Sequence, residues 1–264
     1  MDYSRYSTIL AEHRGRILTL SLNRPEALNA VNHVMHEELA TIFTDVQLDD
    51  ACDVCVLTGA GRAFSAGGDI AEMQAAFERG GEVFVTLVDA KRIVFSLLDL
   101  EKPIIARVNG HAMGLGATIA LFCDVVFMAK GARIGDPHVK AGVVAGDGGA
   151  VIWPQLVGYA RAKEYLMTGD PLSAEEAERI GLVNHAVAPE ELDARVYGYA
   201  EKLANGPVKA IKWTKVSANI GLKQLAHAIM DTSLAYEWIT FKTEDHREAA
   251  RAFLEHRPPK FTGR

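Results

Sequence analysis

Cysteine is scarce. Cys52, Cys55 and Cys123 are the only three in 264 residues, too few for a disulfide framework. Cys52 and Cys55 form a C-x-x-C, but a redox pair needs the first cysteine at a helix N-terminus. Cys55 lies instead within Val54-Cys55-Val56-Leu57, which reads as a strand. Basic charge is also in deficit. The formal net charge of -6 argues against nucleic acid and against an anionic membrane surface. No uncharged run approaches the roughly 18 apolar residues of a membrane span. Met1-Asp2-Tyr3-Ser4-Arg5 lacks the basic-then-apolar order of a secretory signal, so a cytoplasmic protein is expected. No zinc spacing appears either. His33 and His36 make an H-x-x-H without a following ligand, so they read as surface histidines and no metal is assigned.

What is present is ordinary globular composition, 49% hydrophobic and 23% charged, enough for one large domain or two small ones. Tyr6 to Glu12 and Ile17 to Leu22 read as a hairpin. Asn32 caps a helix over 33–48, with Met35, Leu39, Ile42, Phe43 and Val46 at helical spacing. Buried strands follow at 53–58, 103–108 and 124–129, and a long helix at 82–100. The order strand, turn, helix predicts a largely parallel sheet with helices outside. From Gly149 the texture becomes helical, with expected helices over 159–168, 173–180, 189–204, 207–218, 222–241 and 245–256.

Two turns carry the chemistry. Gly110-His111-Ala112-Met113-Gly114-Leu115-Gly116 joins a buried strand to a helix. Gly59 to Ile70, with Gly67-Gly68-Asp69, does the same earlier. Helix starts leave backbone N–H groups unpaired and carry partial positive charge. Neither turn has the phosphate-loop pattern G-x-x-x-x-G-K-[ST], and neither has G-x-G-x-x-G with an acidic residue about 20 positions on. An oxyanion hole fits better, with Gly68 and Leu115 as its two N–H donors, each worth about 3 kcal/mol in the transition state.

Phe64-Ser65-Ala66-Gly67-Gly68-Asp69-Ile70 together with the Gly110–Gly116 turn resembles the crotonase, or enoyl-CoA hydratase/isomerase, superfamily. Leu22-Asn23-Arg24-Pro25 with Ala27-Leu28-Asn29-Ala30 is similar to its N-terminal signature. Leu166-Met167-Thr168-Gly169-Asp170 and Gly181-Leu182-Val183-Asn184 are similar to its downstream segment. The resemblance implies an α/β fold, a crotonase-type spiral of ββα turns over 1–200, followed by a helical oligomerisation region over 201–264. It implies a homotrimer or hexamer and an acyl-CoA substrate, with coenzyme A part of the substrate and no separate cofactor. It places the thioester oxygen at Gly68 and Leu115. It places CoA near Glu26, Ala27, Leu28, Ala66 and Ile70, with Lys260 and Phe261 reaching the nucleotide.

The two glutamates of the family's hydratases correspond here to Thr118 and His138, neither a carboxylate. Asp147, between glycines before a helix, is the expected acid or base, with His138 assisting. The alternatives are a carbon–carbon hydrolase of β-diketone type using His138 and Asp147, and a non-catalytic acyl-CoA-binding relative. Asp69 is expected to be a turn or cap residue and His111 a hydrogen-bonded support. Thr118 is expected to bond a backbone carbonyl or water.

Overall fold

The computed structural model describes residues 1–78 and 87–264. An antiparallel hairpin, β1 (Ile9–Arg14) and β2 (Ile17–Leu22), opens the chain. Helix α1 (His33–Leu48) leads to β3 (Val54–Gly59), then α2 (Ile70–Glu78). Helix α3 (Leu87–Asp99) precedes β4 (Ile104–Val108), a two-residue strand β5 (Ala112–Met113) and α4 (Leu115–Leu121). The expected start of that long helix at Glu82 lies outside the described residues. Strands β6 (Val125–Ala129) and β7 (Arg133–Gly135) lead to α5 (Gly149–Thr168), which is broken at Gly158. Then come β8 (Leu172–Ser173), α6 (Ala174–Arg179), β9 (His185–Val187), α7 (Leu192–Ala204), α8 (Val208–Thr240) and α9 (Glu244–Leu254).

The main sheet runs β1-β2-β3-β4-β6-β9, parallel from β2 onward. Every residue of β3 is buried, as a strand covered on both faces must be. A second sheet, β5-β7-β8, stands beside it. Its strands have two or three residues each, too short for any hydrophobic alternation, so the sequence predicted only one sheet. This small sheet holds the Gly110–Gly116 turn in place, since Gly114 N–H donates to Gly135 O at 3.0 Å.

Helix α1 buries Met35, Leu39, Ile42, Phe43 and Val46 completely, each worth roughly 1.5–3 kcal/mol of transfer. Asn32 caps it, its side-chain oxygen accepting from Met35 N–H at 3.0 Å. His36 corrects the surface reading: it is 3% exposed. Positions 36, 39, 40 and 43 share one face at helical spacing, so the inward stripe includes it. The cysteines are reduced and buried, and burial pushes the Cys52 thiol up to about 11. That is the reverse of an activated thiol.

The two helices expected over 207–218 and 222–241 are one helix, α8. A mid-helix glycine such as Gly221 costs about 1 kcal/mol, and anchors on both sides outweigh it. Lys215 Nζ pairs with Asp124 at 2.8 Å and donates to Lys102 O at 2.9 Å. Further along, the His227 and Phe95 rings lie 4.4 Å apart, and Ala226, Met230 and Leu234 enter the core. Among the described residues, no helix is long and apolar enough to cross a membrane.

Candidate active site

The two small-residue turns pack against each other. Val31 bridges to Gly68 and Ser65 to Ala112 in parallel register, and Met113 N–H donates to Ser65 O at 2.9 Å. Gly67 has φ +87°, and a Cβ there would lie 2.9 Å from Met113 O. A Cβ on Gly116 would lie 2.6 Å from that of Ser65. The turns meet this closely because these two residues lack side chains. Asn29, fully buried, fixes the first turn from behind. Its amide donates to Ala60 O and Ala63 O at 2.9 Å each, while its oxygen accepts from Arg24 N–H.

Gly68 and Leu115 consequently line one cavity of about 570 Å³. The neighbouring turn bonds leave their N–H groups aside: Val31 N–H goes to Gly67 O, Asp69 N–H to Val31 O and Thr118 N–H to Gly114 O. Leu115 begins α4, where the helix provides no internal acceptor. Two such N–H groups on one cavity can serve an oxygen that enters it.

His138 and Asp147 line the same cavity as Gly68 and Leu115. His138 opens a 3-10 turn after Pro137. Its ring approaches Gly114, with Cε1 3.6 Å from where a Cβ would stand. His138 Nε2 is 3.5 Å from Asp147 Oδ2. Its Nδ1 is held by a short contact to Asp136, which is 2% exposed. Asp147, 5% exposed, accepts from the Thr118 hydroxyl at 3.3 Å. This corrects the backbone or water partner expected for Thr118. The fold brings α4 and the Asp147 loop together, so the nearest acceptor is a side chain.

Burial opposes charge on His138, but Asp136 and Asp147 outweigh it and hold the imidazole well above its usual range. Burial raises the Asp147 carboxyl, with Asp136 adding to the rise, while the His138 charge, Thr118 and the Gly149 N–H oppose it. Asp136, His138 and Asp147 also bring ligand atoms within 4.8 Å of one another. A cation could use such spacing, yet both ring nitrogens already face carboxylates.

Asp136 is a member that residue patterns missed. It lies two positions before His138 in Gly135-Asp136-Pro137-His138, and that proximity was the available signal. Glu237 is a second: it comes from α8, is 4% exposed and lines the same cavity. Nothing in the sequence links it to a turn 90 residues away in the chain, as the difference between positions 237 and 147 gives.

The supports behave as expected. Asp69 accepts from Glu72 N–H at 3.2 Å and pairs with Arg24 at 3.0 Å. His111 Nδ1 accepts from Arg133 N–H at 3.0 Å. Of the residues expected near CoA, Ala27, Leu28, Ala66 and Ile70 line the cavity, and Glu26 is exposed on the adjoining 3-10 turn Pro25–Ala27. Lys260 lines a separate groove with Arg247, Arg251 and Arg257, and Phe261 is exposed in the tail.

Comparison with known proteins gives concordant results. The family model described as enoyl-CoA hydratase/isomerase matches residues 12–264. Crotonyl-CoA hydratase of Syntrophomonas wolfei subsp. wolfei is 37% identical over 258 residues, spanning 97% of this chain and 98% of its own. The 1,2-epoxyphenylacetyl-CoA isomerase of Escherichia coli is 34% identical over 260 residues, spanning 97% and 98%. A crystal structure of an enoyl-CoA hydratase/isomerase from Mycobacterium paratuberculosis superposes with a TM-score of 0.86 at 36% identity. It covers 94% of this chain and 99% of that one.

Proposed function

Because the chain belongs to the enoyl-CoA hydratase/isomerase family, whose enzymes act on acyl-CoA substrates, we propose a specific division of labour within its cavity. The Gly68 and Leu115 N–H groups receive the thioester carbonyl oxygen and stabilise the enolate that forms when the α-proton leaves. Two preorganised donors lower that barrier by several kcal/mol. Asp147 takes or returns the proton, and His138 steadies its charge through the 3.5 Å contact. Asp136 holds the imidazole from the other side. The acid–base work thus passes from a two-glutamate pair to Asp147, since Thr118 and His138 stand at the glutamate positions that the resemblance indicates.

The observation that carries this reading is the single cavity shared by Gly68, Leu115, His138 and Asp147. CoA would enter past Glu26, Ala27, Leu28, Ala66 and Ile70, with Lys260 and Phe261 toward the nucleotide. No separate cofactor takes part. Residues 1–200 would form the spiral core and 201–264 a helical part that builds a trimer or hexamer, in the cytoplasm. The E. coli relative named as an isomerase is consistent with chemistry other than water addition.

A second reading rests on the Asp136–His138–Asp147 chain. A buried imidazole between two carboxylates can also orient a water for carbon–carbon cleavage of a β-diketone. One experiment separates the two. The protein is incubated in heavy water with a panel of CoA thioesters and with cyclic β-diketones. Deuterium entering the α-carbon of a thioester supports the enolate reading. Cleavage of a diketone without any thioester exchange overturns it.

A further inference from the structure

Glu237 has no role in the chemistry above, yet it occupies the same cavity. Its side chain is almost wholly enclosed, and among the described residues Oε2 has no hydrogen-bond partner. An unmet buried polar atom is costly and calls for an explanation. Gly146 makes room for it: a Cβ there would lie 2.6 Å from Glu237 Cβ and 2.7 Å from Oε2. Burial raises its carboxyl well above the ordinary range, Asp147 adds to the rise, and the His138 charge opposes it. Enclosure without a cation in contact favours the neutral carboxyl, whose O–H can donate to an acceptor in the cavity.

Its place along the cavity can be read from its neighbours. The Met73 methyl reaches Gly68, where a Cβ would lie 2.6 Å from Cε. Met73 also packs on Val143 and Phe241, and Phe241 follows Glu237 by one turn of the helix. An acyl group whose carbonyl sits at Gly68 therefore runs past Met73 toward Phe241 and Glu237. The wall there is mostly apolar, its polar members being the groups gathered around Asp147 and His246, whose ring meets that of Phe241 edge-on at 5.0 Å.

We propose that Glu237 is a specificity-determining residue that donates a hydrogen bond to a second oxygen of the substrate, so that the preferred substrate is a CoA thioester whose acyl chain carries a keto or hydroxyl oxygen. This rests on the acyl-CoA reading above. It explains why a carboxyl oxygen without a partner among the described residues is retained in a mostly apolar wall: the substrate completes it. A site built to bond an oxygen rejects the analogue lacking it far more strongly than an apolar wall rejects an extra methylene.

The test compares six-carbon acyl-CoA thioesters that are plain, or that carry a keto or hydroxyl group at carbon 4 or 5. Oxygen at those positions leaves the intrinsic acidity of the α-proton nearly unchanged. Binding by calorimetry and α-proton exchange in heavy water are measured for the native protein, Glu237→Gln and Glu237→Leu, each first checked for a cooperative melt. The native protein is expected to favour an oxygenated thioester at least about tenfold. Glu237→Gln, whose amide also donates, keeps most of that preference, and Glu237→Leu loses it. Equal handling of plain and oxygenated thioesters by the native protein overturns the proposal, even if Glu237→Leu fails to fold. So does a preference that survives in Glu237→Leu. Thioesters that bind and exchange without discrimination overturn only the role of Glu237. Thioesters that neither bind nor exchange overturn the acyl-CoA reading and this proposal together.

Discussion

His138 Nε2 lies 3.5 Å from Asp147 Oδ2 while Nδ1 of the same ring is held by Asp136. The imidazole is thereby clamped between two carboxylates, both almost fully buried. A ring fixed in this way cannot swing out to solvent. It presents Asp147 to the space in front of Gly68 and Leu115, which share its cavity.

Replacing Asp147 by Asn removes the proton carrier and keeps the shape. Turnover of the preferred thioester should fall by about 10²-fold or more, with binding changed little. Steady-state kinetics and α-proton exchange check this. Unchanged exchange would move the base to another residue.

Asp136→Asn leaves the His138 ring near its place but removes the closer of its two carboxylates. The imidazole pKa, held high by Asp136 and Asp147 against burial, should drop. Its charged form then fails at lower pH, and the limb of the pH–rate profile that depends on it moves to the acid side. NMR titration of the His138 ring would register the shift directly. A profile identical to that of the native protein would show that Asp136 does not set the charge of His138.

Gly67→Ala tests the meeting of the turns. The substituted residue must adopt φ +87° with its methyl 2.9 Å from Met113 O. The turn should move, and the Gly68 donor with it, lowering kcat by roughly 10²-fold, the effect of losing one oxyanion donor. Melting temperature should fall as well, since a left-handed conformation costs a non-glycine residue about 1 kcal/mol or more. Native kcat in this variant would remove Gly68 from the hole.

His36 supplies a pH signature of stability. Burial holds its imidazole down at about 4, against an ordinary value of 6.5. The folded protein therefore keeps it neutral over a range in which the unfolded chain binds a proton. Its influence on stability is absent above about pH 6.5. As pH falls from 6.5 toward 4 this group favours unfolding, by a limiting amount on the order of 3 kcal/mol. His36→Gln should flatten the acid side of a plot of unfolding free energy against pH. Equal slopes for the two proteins would contradict it.

Much was legible from residue order alone. The hairpin, α1 with its Asn32 cap, the buried parallel strands and both glycine turns follow from periodicity and turn chemistry, which are local properties. Gly68 and Leu115 stand out as candidates by the same turn chemistry and Asp147 by its glycine turn, whereas His138 stands out only through the family resemblance. Longer-range matters were not legible. The H-x-x-H pattern suggests a surface His36, whereas its position on the inward face of α1 buries it. One helix was divided in two because a glycine's local cost is visible in the sequence, whereas the distant anchors of Lys215 and His227 are not.

The sequence by itself determined where backbone donors are exposed, because glycine spacing and helix starts act within a few residues. The resemblance it carries implies that Thr118 and His138 stand where hydratases of the family keep glutamates. Only the tertiary structure decided what surrounds those donors. It brought Asp136 against His138, the Thr118 hydroxyl against Asp147, and Glu237 of α8 into a cavity begun in the first third of the chain. Burial and the charge of neighbours set the protonation of a carboxyl group, and both exist only once separate elements have packed.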